Sequence, residues 1–438
     1  MHKDLRNPHY TQWRQFLGES EDWTKEQIDE YQFEQLKKIF DYAWEHIKGY
    51  RELWSIHGLT PQSLKSLDDV NLFPCVTKED IRDRLDDFSV KRSDAKYTTT
   101  GGSTGIPFGF YRTPEAFGRE LASKAWQYYR IGWKEGDPQI VFKGVPITTE
   151  DKTEFFPELN ELRFSSYYMT PDWLELYIKK TIEYKPLWMR CLPSTGFMLA
   201  KYLKEKKISF PELKGILCSS ENLYDFQKQY MIDVFKCRVF SHYGHEEIAA
   251  LAGFCEYSDN YHVLPQYGYV QLLDDENKHI TTEGQSGEVV ATSFIMNSTF
   301  FIRYRTKDIA RYAGNRCGQC GRPYQIWDRI DGRLQEFFIT KSKRHIPMMS
   351  INFYDDIFDE LKFFQYYQDT IGVIILKYVP RDSSEVPDLA AIRNKLNAKF
   401  DNDVDIIFKE VKADDLTRTR RGKYLFLEQK LEAALRKP

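Results

Sequence analysis

No run of about eighteen apolar residues occurs in the 438-residue chain, so it offers no segment able to cross a bilayer as a helix. An excess of either charge is also missing. The 62 Lys+Arg face 65 Asp+Glu, a net of -3, which leaves no global positive field to hold nucleic acid or an anionic membrane by counterion release. Internal repeats and low-complexity tracts are absent, and 42% hydrophobic against 29% charged residues is the balance of a folded globular chain, not of a disordered tail. Cysteine is scarce and odd in number, seven in all, and the opening Met1-His2-Lys3-Asp4-Leu5-Arg6 has no apolar signal core. We therefore expect a cytoplasmic protein with thiols reduced or metal-bound. Aromatic rings, by contrast, make up 15% of the residues, enough to fill large cores or line pockets.

At roughly 150 residues per domain the length suggests about three domains. The first hundred residues read as mainly helical: Ile28, Tyr31, Leu36, Ile39, Phe40, Ala43 and Ile47 recur at helical spacing, with Gly49 as the expected stop. A short helix over Lys78 to Leu85 is expected behind a cap at Thr77, with Asp80 completing a capping box. From residue 97 the texture alternates. Strand-like runs at Gln139 to Val145, Pro186 to Cys191, Leu213 to Cys218 and Arg238 to Ser241 are separated by helical stretches such as Gly196 to Lys206 and Tyr224 to Phe235. That alternation predicts an α/β fold around sheets covered on both faces. Between about 266 and 340 strands and turns dominate, with runs at Tyr269 to Asp274, Gly287 to Phe294 and Phe300 to Tyr304. The last hundred residues read helix (Met348 to Leu361), strand (Phe364 to Tyr367), strand (Gly372 to Val379), helix (Pro387 to Lys399) and strand (Val404 to Val411), an α+β cap. The expected division is a large N-terminal body over 1–334, with a β subdomain, and a small mobile cap over 335–438.

Thr98-Thr99-Thr100-Gly101-Gly102-Ser103-Thr104-Gly105-Ile106-Pro107 sets three glycines among five hydroxyls. Glycine frees backbone N–H groups to turn into one concavity and hydroxyls add short donors, so the segment suits phosphate oxygens; a plain surface turn is the competing reading. It is not a Walker loop, since no Gly-Lys-Ser/Thr follows. The segment resembles the phosphate-binding signature of the adenylate-forming superfamily, and further motifs recur in the expected order. These are Ser219-Ser220-Glu221, Tyr243-Gly244-His245-Glu246-Glu247, Tyr304-Arg305-Thr306-Lys307-Asp308, Asp331-Gly332-Arg333 and Arg421-Gly422-Lys423. More closely, the chain resembles the phenylacetate-coenzyme A ligase-like family and its capsular polysaccharide biosynthesis branch, through the run His245 to Tyr269 and the segment Ser350 to Asp356.

The resemblance implies an acyl adenylate made by attack of a carboxylate on the α-phosphorus of ATP, with magnesium neutralising the phosphates. By the same resemblance Thr99, Thr100, Gly101, Gly102, Ser103, Thr104 and Gly105 grip phosphates. Ser220 and Glu221 line the adenine pocket, Tyr243 stacks on the ring beside Gly244 and Glu246, and Glu247 ligates Mg2+. Asp308 accepts from the ribose hydroxyls, an acceptor-only carboxylate suiting a diol. Arg333 holds ribose or phosphate oxygens, and Lys423 stabilises charge in adenylation. His245, with His242, flanks the nucleotide motif and is a candidate to orient the substrate carboxylate; a hydrogen-bonded structural histidine is the alternative.

Three positions depart from the family pattern. Glu246 stands where a Ser or Thr usually faces the α-phosphate, Phe108 where many superfamily loops carry lysine, and Gln335 where an acidic residue usually marks the hinge. Glu246 would either point away, join Glu247 on a metal, or impair adenylation. Cys317-Gly318-Gln319-Cys320-Gly321 is a knuckle able to supply two thiolates to a tetrahedral ion, and Cys255 and His262 are the best further ligands for a structural zinc within about 255–330. Reduced core thiols or a redox pair is the competing reading. Cys75, Cys191, Cys218 and Cys237 read as buried apolar residues. Trp126, Tyr128, Tyr129, Trp133 and Phe142 are candidates for an acyl pocket or for core.

The resulting expectation is an ATP-dependent ligase that activates a small carboxylic acid, an aromatic one being favoured by the resemblance, and passes it to coenzyme A, an amine or a hydroxyl. An adenylyltransferase placing AMP on a hydroxyl, and an inactive scaffold of a biosynthetic complex, are the alternatives. Neither a nucleic-acid partner nor a membrane span is expected, and an oligomer is left open.

Overall fold

A computed structural model describes residues 7–99, 108–143, 147–166, 168–333, 337–347, 358, 360–381, 387–417 and 425–431. The chain divides into two compact units, one made of Met1–Gln139, Phe155–Glu161 and Phe240–Ile330, the other of Ile140–Glu154, Leu162–Val239 and Asp331–Pro438. Both combine helices with sheet, the α/β class expected from the alternating texture. Among the described residues no helix is long and apolar enough to cross a membrane.

In the first unit the helices Pro8–Glu19, Lys25–His46 and Lys48–Ile56 follow one another. Thr24 and Gln27 close a capping box at the start of the second, satisfying N–H groups that the first turn leaves unpaired. The break falls at Ile47, which is extended, and not at Gly49 as the sequence suggested. Gly49 lies inside the next helix because the ring of Phe88 passes 2.9 Å from where its Cβ would be, so its small size serves packing. The Thr77–Asp80 box forms as expected and opens helix Lys78–Asp83, which ends sooner than predicted and passes into a 3-10 turn at Leu85–Phe88.

The sheet strands of this unit lie in the order Gly268–Leu273, Ser286–Ser293, Tyr304–Tyr312, Ile326–Arg333, Tyr261–Val263, Leu251–Phe254 and Arg238–Gly244. The run Phe300 to Tyr304, expected as a strand, is irregular until Tyr304. There Arg303 takes a left-handed φ of 45° and sends its buried guanidinium to the carbonyls of Val70 and Phe73, at 2.7 and 2.6 Å. A separate hairpin pairs strands Lys96–Thr99 and Gly109–Arg112, with Thr99 opposite Gly109.

The second unit sets strands Trp188–Cys191 and Gly215–Ser219 parallel, with helix Pro171–Tyr184 before them, Pro193–Lys206 between them and Asp225–Phe235 after them. All three helices stop on a lysine in left-handed conformation, Lys185, Lys207 and Lys236, where glycine is the usual stop. A lysine at this end carries the charge sign that the negative end of a helix favours.

The C-terminal part of this unit is a sheet ordered Asp405–Glu410, Val373–Pro380, Leu361–Thr370 and Leu427–Gln429, with helix Leu389–Lys399. The helix expected over Met348 to Leu361 falls mostly outside the described residues, and its last residue begins a strand. The core here gathers Phe338, Leu361, Phe364, Tyr366, Leu376, Ile392, Leu396, Phe400 and Ile406, joined by Tyr224 from the start of helix Asp225–Phe235. Phe338 meets Tyr366 and Phe400 edge-on, each at 5.2 Å between centroids. Phe338→Ala is expected to destabilise this core by about 3–5 kcal/mol, read as faster amide exchange along Leu361–Thr370.

Candidate functional site

Strand Arg238–Gly244 ends in the Tyr-Gly-His-Glu-Glu run, and the neighbouring elements of its unit determine what those side chains meet. Tyr243 donates its hydroxyl to Asp308 Oδ2 at 2.8 Å and lies edge-on to Trp327. Burial, reinforced by the Asp308 charge, holds the Tyr243 phenol well above its ordinary pKa. Asp308 stands on strand Tyr304–Tyr312, directly after Lys307 in left-handed conformation. The expected ribose and adenine residues are thus joined to each other.

Glu247 is almost wholly buried. Its Oε2 lies 3.1 Å from His245 Nδ1, and its Oε1 accepts from the Tyr304 hydroxyl at 3.1 Å and sits 3.3 Å from Lys78 Nζ. Burial alone would raise its carboxyl. The hydrogen bond and charge of His245, with the Lys78 ammonium, reverse that and hold it far below the usual carboxylate range. His245 Nε2 is buried and has no hydrogen-bond partner among the described residues. Sequence reasoning missed Lys78. It was legible only as the first residue of a capped helix, and its function depends on a contact far along the chain. Its ammonium also lies 5.2 Å over the ring of Phe108, the position where lysine is common in the superfamily.

Glu246 turns toward Arg112, whose Nη1 is 3.6 Å from Glu246 Oε2. Ser220 and Glu221 belong to the second unit. There Ser220 is left-handed and Glu221 accepts from the Ser194 N–H at 3.0 Å, at the start of helix Pro193–Lys206. Thr99 closes strand Lys96–Thr99. Thr100, Gly101, Gly102, Ser103, Thr104, Gly105, Gln335 and Lys423 lie outside the described residues, as does the Arg333 side chain.

Of the pocket candidates, Trp126 donates to Glu21, Tyr129 hydrogen-bonds Glu135, Trp133 packs on Tyr128 and Tyr129, and Phe142 packs in the second unit on Phe164 and Tyr177. Trp133 and Phe142 are core residues, while Trp126 and Tyr129 are partly buried. Tyr128 sets its hydroxyl 3.0 Å from Nδ1 of His242, the residue directly before Tyr243.

The knuckle geometry is explicit. Cys255, His262, Cys317 and Cys320 bring one ligand atom each to within 4.8 Å of one another. Cys255 Sγ is 3.8 Å from Cys317 Sγ, and Cys320 Sγ is 3.9 Å from His262 Nε2. Bonds of about 2.3 Å to sulfur and 2.0 Å to nitrogen around a tetrahedral zinc imply separations close to these. Strand register accounts for the meeting: Tyr261–Val263 pairs with both Leu251–Phe254 and Ile326–Arg333, with His262 opposite Gly253 and Ile326. Gly321, at φ 78°, lets its N–H close the turn onto the Cys317 carbonyl. Burial, then the nearby Arg130 and Arg322 charges, lower His262 to about 4, so it is neutral and able to ligate at pH 7.

Elsewhere Cys191 and Cys218 are buried on paired strands, with Sγ atoms 3.9 Å apart, as expected of apolar core residues. Cys75 and Cys237 are only half-buried, against expectation.

No family model matches the chain. It is similar to the protein CapK of Staphylococcus aureus, 23% identical over 413 residues, which cover 91% of this chain and 88% of that one. Phenylacetate-coenzyme A ligase of Pseudomonas putida is 23% identical over 343 residues, 76% of this chain and 77% of the relative. Among solved structures, a 2-hydroxyisobutyryl-CoA ligase in the postadenylation state superposes with a TM-score of 0.73 at 20% identity, covering 92% of this chain and 89% of that one. The acyl acid amido synthetase AtGH3.15 superposes with a TM-score of 0.65 at 13% identity, covering 97% and 95%. The chain is therefore related in sequence to CapK and the phenylacetate-coenzyme A ligases, and its fold is that of adenylate-forming ligases, the kinship that the ordered motifs indicated.

Proposed function

We propose that this protein is an adenylate-forming ligase that condenses a small carboxylic acid with ATP, releases pyrophosphate, and passes the acyl group to an acceptor such as coenzyme A. The observation that carries this reading is Glu247, a buried carboxylate kept ionised by His245 and Lys78 beside the Tyr243–Asp308 pair. An ionised carboxylate prepared in this way suits Mg2+, which when bound would neutralise phosphate charge. Lys78 adds a fixed cation for the same phosphates, and His245 Nε2 is available to orient the acid. Asp308 would exchange its bond from Tyr243 for the ribose hydroxyls, leaving the ring to stack on adenine. Ser220, Glu221, Arg333 and the Thr99 to Gly105 segment keep the nucleotide roles given above.

The relatives named phenylacetate-coenzyme A ligases support an acyl-activating reaction and put an aromatic acid first among candidates. Exchange of labelled pyrophosphate into ATP, dependent on added acid, tests the reading. Its absence with every acid, or a stable AMP ester in place of free AMP on adding an acceptor, would replace it by one of the two alternatives. Lys423, in the 335–438 segment taken as a mobile cap, is assigned to adenylation alone. Lys423→Ala is expected to slow adenylate formation by about 100- to 1000-fold while transfer from preformed adenylate changes little; single-turnover assays of each half-reaction decide.

The Cys255, His262, Cys317 and Cys320 set is proposed to hold a structural zinc. Four protein ligands leave no open position, which assigns the ion to scaffolding and not to chemistry.

A further inference from the structure

Strand Tyr304–Tyr312 carries Asp308, and it does not run regularly past its neighbour Ser286–Ser293. Arg305 pairs with Val290 and Ile309 with Glu288, so Thr306, Lys307 and Asp308 all stand opposite Val289. Such a bulge takes residues out of the ladder and re-aims the side chains on it. At its crown Lys307 is left-handed at φ 66°, a conformation that glycine adopts freely and that a residue with a Cβ adopts only at a cost. The next residue is Asp308, whose carboxylate accepts from the Tyr243 hydroxyl.

The contacts around the bulge are explicit. The Thr306 hydroxyl donates to the Val289 carbonyl at 2.8 Å and accepts from the Asp308 N–H at 3.1 Å. On the outside, Lys307 Nζ meets both carboxylate oxygens of Glu79 at 2.9 and 3.1 Å, with both side chains about half exposed. On the inside stands Glu288, which is buried. Its Oε1 accepts from the backbone N–H of Lys307 at 3.0 Å, and its Oε2 accepts from Arg305 Nε at 2.8 Å and from Arg305 Nη2. The remaining arm of the Arg305 fork is fixed by Asn277 Oδ1, 2.8 Å from Nη1. One carboxylate therefore grips the bulge on both sides of Thr306, with charge-assisted bonds that are stronger than neutral ones. Neutralising Arg305 requires the Oε2 contact alone. The Oε1 contact falls on the peptide whose conformation sets the direction of Asp308.

We propose that Glu288 is a positioning residue for Asp308: it touches no substrate, and it holds Lys307 left-handed so that the carboxylate that follows faces the nucleotide. The proposal rests on the reading of Asp308 as acceptor for the ribose hydroxyls. Without Glu288, Lys307 relaxes toward the extended backbone of an ordinary strand residue, and Asp308 loses its aim.

Binding of ATP and of dideoxy-ATP, which lacks both ribose hydroxyls, is measured by calorimetry with the full chain and Mg2+, and with no acid added. Wild type is expected to prefer ATP by about tenfold or more, since a site built around hydroxyls rejects an analogue without them, and Asp308→Ala should lose most of that preference. Glu288→Gln should shrink it severalfold, through weaker ATP binding with dideoxy-ATP little changed. Adding Lys307→Gly to Glu288→Gln should recover most of the loss, because glycine takes the left-handed conformation unaided. Lys307 alone carries the test if Glu288→Gln does not fold. Lys307→Gly should keep the preference and Lys307→Val should shrink it severalfold, although both remove the same charge, because a β-branched residue resists a positive φ. A preference unchanged in Glu288→Gln or in Lys307→Val, while Asp308→Ala abolishes it, overturns the proposal and leaves the ribose reading standing. An equal loss in Lys307→Gly and Lys307→Val overturns it as well, by assigning the effect to the lysine charge. Equal binding of the two nucleotides by wild type overturns the ribose reading of Asp308, and the proposal with it.

Discussion

Glu247→Gln is expected to reduce acid-dependent pyrophosphate exchange by about a hundredfold or more, because groups one shell removed from a metal already cost 10- to 100-fold when lost and Glu247 is placed to touch the ion itself. The amide keeps the size of the side chain and its bond from Tyr304, but it removes the charge that His245 and Lys78 are arranged around. Lys78→Met attacks the same point from the other side and should leave a smaller defect, concentrated in the apparent affinity for ATP. Equal exchange by wild type and Glu247→Gln across a magnesium titration would remove Glu247 from the reaction.

Glu247 also makes a pH statement. Its folded carboxyl is depressed: burial opposes ionisation, and His245 and Lys78 more than offset it. A depressed acid stabilises the fold above its unfolded pKa of about 4.3, and that contribution is lost as pH falls from there through the lower folded value. Wild type and Glu247→Gln should therefore differ in stability by a constant amount at neutral pH, and the difference should narrow only on acidification below about 4.3. Urea midpoints measured from pH 7 to pH 3 check both the sign and the window.

Local chemistry was the legible part of this chain. The Thr77–Asp80 cap, the α/β alternation and the order of the nucleotide motifs depend on residues a few positions apart, and each can be read without knowing what packs on it. Cys317 and Cys320 were legible for the same reason, and Cys255 and His262 were also named from the sequence, the antiparallel register being what brings them to the knuckle. What resisted reading was decided by distant partners. Gly49 signals a helix end in isolation, yet the ring of Phe88 requires a small residue within a helix. By contrast, the ends expected at Lys206 and Phe235 are where those helices stop, although a left-handed lysine and not a glycine follows each. Lys78 acquires a role only when Glu247 arrives beside it, and Glu120 only when the Tyr267 hydroxyl does. A charged helix position reads as solvated surface until its neighbours are known.

Loss of the knuckle ion is expected to have the largest effect on stability. Three thiolates and one dication leave a single negative charge, and the surroundings suit it: Arg322 bonds Glu21 and Glu256 beside Cys255, and Arg130 bonds Glu21. These contacts tie the end of helix Pro8–Glu19, the end of helix Pro114–Arg130 and the knuckle into one ionic network. With the metal gone, the Cys255 thiol is pushed up to about 12 by burial and by the neighbouring thiols, and the buried Cys255 and Cys317 and the partly buried Cys320 would be left without the bonds that organise them. Structural zinc sites supply folding free energy outright, and losing even a few kcal/mol at roughly 2–4 °C each should lower the melting midpoint by about 10 °C. The purified chain should contain one zinc, Cys317→Ser combined with Cys320→Ser should contain none, and a strong chelator should bring the wild-type midpoint down to that of the variant. A chain free of zinc whose melting is unchanged by chelator and by both substitutions would show that the four residues are reduced core side chains. Exchange activity at 20 °C adds an independent readout: a scaffolding ion predicts that the zinc-free variant, where folded, retains most of its rate, because none of the four ligands is among the residues assigned to ATP.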